Sequence, residues 1–153
     1  MPETTMERLH FHCRTCHRTN RIPAVRLQSK PRCGSCHEPL DTSGIPFQVT
    51  DEELRSLIHS SPVPVLVDFY ADWCGPCRTL GPVLESLGRE LAGKLLVVKM
   101  DTERDRAVAG ELGIRSIPTV LLYADGAIAA RESGAHPLAF WRTWVKPHLR
   151  AGS

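Results

Sequence analysis

No run of the roughly 18 to 20 apolar residues that a membrane-spanning helix requires occurs in this 153-residue sequence. Net charge is nearly absent: 19 basic against 17 acidic side chains leave +2, so no field of one sign points to a nucleic acid or a membrane surface. Aromatic residues are few, at 6%, and there is neither an internal repeat nor a low-complexity tract. The N-terminal MPETTMERLH lacks the apolar stretch of a secretory signal, so a cytoplasmic location is expected. What remains is an ordinary globular composition, 42% hydrophobic, long enough for one core or for one core plus a small module. Six cysteines in a reducing compartment then point to metal binding or redox chemistry, not to a disulfide framework.

The cysteines are unevenly placed. Residues 1–42 carry four of the six, four of the seven histidines, and seven basic against four acidic side chains. Phe11, Leu9, Ile22, Val25, Leu27 and Leu40 are too few to close a core, so this segment needs a staple. Turn-forming residues at 41–46 separate it from apolar runs alternating with helical periods. The expected organisation is a zinc-ribbon-like module at 1–42, a linker at 43–46 and a second domain at 47–153. In the latter, Thr50 to Glu53 match a capping box and open a helix with Leu54, Leu57 and Ile58 inward. Val63 to Tyr70 reads as a strand buried on both faces. A helix from about Cys74 to Leu91 follows, with Pro82 inside it, then a strand at Leu95 to Met100 and a helix over about Glu103 to Leu112. A hairpin joins strands at Thr119–Tyr123 and Ala127–Arg131, and a last helix from about Pro137 turns Phe140, Trp141, Trp144 and Val145 inward. The order β-α-β-α-β-α-β-β-α indicates an α/β fold: a mixed sheet covered on both faces.

Cys13-x-x-Cys16 and Cys33-x-x-Cys36 stand sixteen residues apart, the spacing of a zinc site. Four thiolates complete a tetrahedron and leave no position for water, so one structural zinc ion is expected, without hydrolytic chemistry. A reducing cytosol favours this over two disulfides. His12, His17 and His37 flank the pairs and are expected to be exposed, since four cysteines suffice.

Trp73-Cys74-Gly75-Pro76-Cys77 sits between a buried strand and a helix. Orphan amides and the helix dipole there stabilise a thiolate, which makes Cys74 the nucleophile and Cys77, one turn in, the resolving thiol. The Gly-Pro dipeptide places no cation beside the pair, which favours a reductant over an oxidant. The lone pair has no second C-x-x-C left to share a metal with, so it reads as redox.

VDFYADWCGPC at 67–77, IRSIPT at 114–119 and ADGAIAARESGA at 124–135 together resemble thioredoxins. The four-cysteine segment with its RIP at 21–23 resembles the ribbon that precedes the thioredoxin-2 branch. The resemblance implies a thioredoxin fold and a protein-disulfide reductase recharged by thioredoxin reductase and acting on disulfide-containing proteins. It implies that Asp68 moves the proton of the resolving thiol, that Lys99 lies near it, and that Pro118 is cis. It further implies a substrate groove of Trp73, Gly75, Pro76, Ile117, Pro118, Gly134 and Ala135. Tyr70 departs from the frequent Trp, Asp72 from Glu or Pro, and Arg78 from Lys. A zinc-dependent oxidant sensor, holdase or adaptor is the alternative. Nothing demands more than a monomer, and the basic excess of 1–42 lacks the aromatic interleaving of a nucleic-acid surface.

Overall fold

In the computed structural model, which describes residues 8–149, alternation along the strands decides which side chains meet which helices. The main sheet has five strands in the order β3-β5-β4-β6-β7. These are β3 (Phe47–Gln48), β4 (Val65–Tyr70), β5 (Leu96–Asp101), β6 (Thr119–Ala124) and β7 (Ala127–Ser133). β3, β5 and β4 run parallel, while β6 and β7 pair antiparallel. Val65, Val67 and Phe69 face one way, with Val98, Met100 and Leu121, onto α1 (Asp51–Ser60) and α3 (Ala107–Glu111). Leu66, Val97, Val120 and Leu122 face the other way, onto α2 (Gly75–Glu90) and α4 (Leu138–Val145). This is the thioredoxin fold: a mixed central sheet with helices on both faces. The period of two also sets Asp68 and Lys99, register partners on β4 and β5, on the α2 side with Leu66 and Val97.

Element boundaries differ from expectation where local chemistry intervenes. The β4 strand begins at Val65, after Pro62 and Pro64, which have no amide to donate to a ladder. The α3 helix is only five residues long, against an expected ten, because Asp101 organises the preceding residues into a turn. Its carboxylate accepts from the Glu103 amide at 2.9 Å and its carbonyl from the Asp105 amide at 2.9 Å. β7 extends to Ser133, beyond the expected Arg131, because its pairing with β6 continues to Thr119. On α4, Trp141 and Val145 are fully buried while Phe140 and Trp144 are half-buried beside them. The capping box forms as expected, Thr50 and Glu53 exchanging amide hydrogen bonds.

The N-terminal module is a hairpin of β1 (Arg8–His12) and β2 (Thr19–Pro23), a short 3-10 helix (Ala24–Ser29) and a second turn closed by an Arg32–Pro39 bridge. Its few apolar residues are used outward: Leu9 and Phe11 are buried against Gly93, whose carbonyl accepts from the His10 amide at 2.8 Å. Gly93 has φ +85°, and a Cβ there would run into Leu9. Behind the hairpin the chain crosses α2 where Gly44 meets Gly88 with no room for a side chain on either. Arg14 ties the connection down, donating to the Ile45 carbonyl at 3.1 Å, pairing with Asp41 at 3.2 Å and lying 4.8 Å over the Phe47 ring.

Candidate active site and metal centre

Cys74 caps the N-terminus of α2, with extended backbone and its sulfur accepting from the Cys77 amide at 3.2 Å. Pro76 enters the first turn, where its missing amide costs nothing. One turn further in, Cys77 reaches back, and the two are joined as a disulfide with their Cα atoms 5.3 Å apart. Both are buried, at 4% and 6% exposure. The helix amides that stabilise an anion lie at the Cys74 sulfur, so a thiolate is favoured there.

Trp73 stands 66% exposed beside the disulfide, with Gly75 and Pro76 also open to solvent. Opposite them the Ile117–Pro118 bond is cis, and the Ile117 carbonyl oxygen lies 3.8 Å from the Cys74 sulfur. The Pro118 carbonyl accepts from the Gly134 amide at 3.0 Å, which draws the Gly134–Ala135 loop to the same rim. Gly134 has φ +102°, a conformation open to glycine and strained for other residues. Trp73, Gly75 and Pro76 thus stand on one side of the disulfide, with Ile117, Pro118 and the Gly134 amide bonded to Pro118 on the other.

Asp68 lies beneath, 2% exposed, with Oδ1 lacking a hydrogen-bond partner. Burial pushes its carboxyl up to about 7, with the Lys99 charge pulling the other way. A cleft of about 480 Å³ opens onto Asp68, Cys77 and Lys99 together, so the carboxyl and the inner cysteine share one solvent path. Sequence reasoning missed two features of its walls. Tyr70 holds the Lys99 ammonium 4.5 Å over its ring, and its hydroxyl accepts from the Gln48 amide nitrogen at 2.7 Å. Ile45 and Pro46, taken for linker, also line the cleft. The first depends on the register of adjacent strands, and the second had no sequence signal.

The other four cysteines converge within the N-terminal module, their sulfurs all within 4.8 Å of one another. Cys13 and Cys36 are 3.6 Å apart and Cys16 and Cys33 3.5 Å. A tetrahedron of thiolates at the usual zinc–sulfur length of about 2.3 Å has edges of about 3.8 Å, so the set fits a single tetrahedral ion. The two knuckles repeat one turn. His17 and His37, each directly after its pair, adopt φ of 67° and 68°, and their amides donate to the Cys13 and Cys33 carbonyls at 2.8 and 2.9 Å. Asn20 ties β2 to the second knuckle, donating to the Cys33 sulfur and accepting from the Gly34 amide. The Cys36 amide and other donors pull the Cys33 thiol down to about 5. Against the pull of the Glu38 amide, burial and three neighbouring sulfurs push Cys36 up to about 12. Four thiolates at this spacing need a cation among them.

The flanking histidines are not part of the cluster. His17 and His37 are exposed as expected, but His12 is half-buried, because it stacks on Phe47 with ring centroids 5.5 Å apart. Burial, then the neighbouring His17, push it down to about 4.

Comparison with known proteins agrees with this geometry. The thioredoxin family matches residues 45–146, and a zinc-ribbon family described as "Thioredoxin 2, N-terminal" matches residues 12–38. The thioredoxin of Haemophilus influenzae is 39% identical over 103 residues, covering 67% of this chain and 96% of its own. Thioredoxin C-3 of Corynebacterium nephridii is 31% identical over 141 residues, 90% of this chain and 94% of its own. Among solved structures, a mutant thioredoxin from Halobacterium salinarum NRC-1 superposes with a TM-score of 0.65 at 32% identity, over 72% of this chain and 96% of its own.

Proposed function

The chain belongs to the thioredoxin family, of the thioredoxin-2 type, and from that premise we propose that it is a cytosolic protein-disulfide reductase cycling Cys74 and Cys77 between dithiol and disulfide. The observation that carries this reading is the joint setting of the pair. One sulfur caps a helix, and the other shares a cleft with a buried carboxyl held near neutrality.

In the reduced protein the Cys74 thiolate attacks a substrate disulfide. A Cys74–substrate bond forms, the substrate's own S–S bond breaks, and the departing sulfur takes up a proton. Cys77 then loses its proton to Asp68 and attacks the Cys74 sulfur. The intramolecular disulfide forms and the second substrate thiolate leaves, so two electrons have passed to the substrate. A carboxyl near 7 suits this role, since it accepts a proton at neutral pH and releases it through the cleft. Lys99 steadies the charged form of Asp68. Trp73, Gly75, Pro76, Ile117, Pro118, Gly134 and Ala135 receive the extended substrate segment. An NADPH-dependent thioredoxin reductase returns the electrons.

Residues 1–42 are assigned to the ribbon in this reading, 43–46 to its connection and 47–153 to the thioredoxin domain, with 1–7 and 150–153 lying outside the described residues. Cys13, Cys16, Cys33 and Cys36 hold one zinc ion, which fixes the two knuckles and takes no part in thiol exchange. A second reading, in which the ribbon senses oxidants, is favoured by the exposure of Cys16 alone among the four. Loss of zinc under one or two equivalents of peroxide, at a rate comparable with Cys74–Cys77 oxidation, would support it.

Cys74→Ser is expected to abolish reduction of insulin disulfides; full turnover would overturn the assignment. Cys77→Ser is expected to accumulate mixed disulfides with substrate, recoverable as covalent adducts at Cys74.

A further inference from the structure

A second cleft, of about 330 Å³, adjoins the disulfide on the side away from Asp68. Trp73 and Ile117 belong both to it and to the rim of the redox pair, so it begins within one residue of Cys74. Its floor is apolar, with Ile114 and Ala109, and its wall carries Arg106 and Arg115 against one carboxylate, Glu103. Many guanidinium groups elsewhere in the molecule are occupied. Arg14, Arg55, Arg89 and Arg142 pair with Asp41, Glu111, Glu85 and Glu90, and Arg131 donates to the carbonyls of Leu112 and Gly113. Across the disulfide, Arg78 donates to the Asp72 carbonyl. Arg106 reaches only the Glu103 carbonyl in its own turn, at 3.3 Å, and no hydrogen bond or ion pair among the described residues engages the Arg115 side chain.

We propose that this cleft selects the substrate class: extended segments carrying a carboxylate two or three residues from the disulfide cysteine, bound with that carboxylate against Arg106 and Arg115. This rests on the reductase reading and adds a choice of substrate to it. An extended chain covers ~7–10 Å in two or three residues, which carries a side chain from the sulfur into the cleft beside Trp73. The cleft on the opposite side of the disulfide mixes signs, with Asp72 and Glu85 beside Arg78 and Lys99, so a segment laid the other way meets no net positive wall. The excess of cations on the Trp73 side therefore favours one direction of the segment as well as its composition.

The test uses the full-length reduced protein and three disulfide peptides that differ only in Glu, Gln or Lys at the second and third positions from cysteine. Second-order rate constants are followed by stopped flow. The Glu peptide is expected to react about three- to tenfold faster than the Gln peptide, with Lys slower still, the contrast shrinking in about 0.5 M salt. In Arg106→Gln/Arg115→Gln the Glu-to-Gln ratio is expected to fall to about one, with Arg→Lys at both positions restoring part of it. Glu103→Gln is expected to raise the ratio. Equal rates for the Glu and Gln peptides, both being reduced, overturn the selection and leave the reductase standing. Failure to reduce any of the three overturns the reductase reading itself.

Discussion

Burying the Asp68 carboxyl costs the fold stability in a way that depends on pH. Its carboxyl is raised from the ordinary 3.8 to about 7, chiefly by burial, so the folded chain keeps a proton that the unfolded chain releases near pH 4. Between those values the unfolded state binds fewer protons, and stability falls as pH rises. An interval of about three pH units corresponds to about 4 kcal/mol, drawn down across pH 4 to 7. Asp68→Asn removes the titrating group. The oxidised variant is expected to gain up to about that amount over the parent at pH 8 and little at pH 3.5, read by urea unfolding at both. A difference independent of pH would show that Asp68 is not the group that titrates. The carboxyl was visible in the sequence as the one charge in VPVLVDFY, whereas the Lys99 ammonium over Tyr70 was not. A strand's period of two gives facing, but the ring that a neighbouring strand's lysine lies across depends on register.

Among the elements, α3 is held less by its own five residues than by the start of α1. Asp51 accepts from the Ala107 and Val108 amides at 3.2 and 2.9 Å, capping a helix more than fifty residues away. Its own amide donates to Asp105. Asp51→Ala is expected to cost about 1–2 kcal/mol and to accelerate amide exchange at Ala107 and Val108. Thr50→Ala, which breaks only the α1 capping box, is expected to leave those two amides unchanged. Equal acceleration in both variants would mean that α3 depends on α1 as a whole and not on this carboxylate. The capping box was legible because its partners are three residues apart. The Asp51 bridge was not, since a helix too short for a periodic stripe leaves no pattern to match with a distant cap. For the same reason the sequence overextended α3 and placed α2, with its buried row of Leu80, Leu84 and Leu87, to within a residue at either end.

At the scale of the whole molecule, the ribbon and the sheet are stabilised by different means, and this decides how they come apart. The sheet closes two clusters of its own. Among the described residues the ribbon has no such cluster; it is pinned by the four sulfurs and by Leu9 and Phe11 against Gly93. Full burial of two such side chains contributes about 3–6 kcal/mol at most, and part of that is offset by ordering the hairpin. Four-thiolate sites of this kind commonly supply most of the folding free energy of a module this small. Chelating the metal ion proposed for the four sulfurs from the reduced protein should therefore release β1 and β2 while β4 stays protected. Hydrogen exchange reads both at once: amides of Leu9 to His12 are expected to lose protection, and those of Val65 to Phe69 to keep it. Concerted loss in both would mean that the docking through Gly93 makes ribbon and sheet one cooperative unit. Gly93→Ala separates the two contributions, because it pushes Leu9 away without touching a sulfur. If the sulfurs dominate, the variant keeps its metal-binding capacity and its knuckles, and only the His10 amide, bonded to the Gly93 carbonyl, exchanges faster.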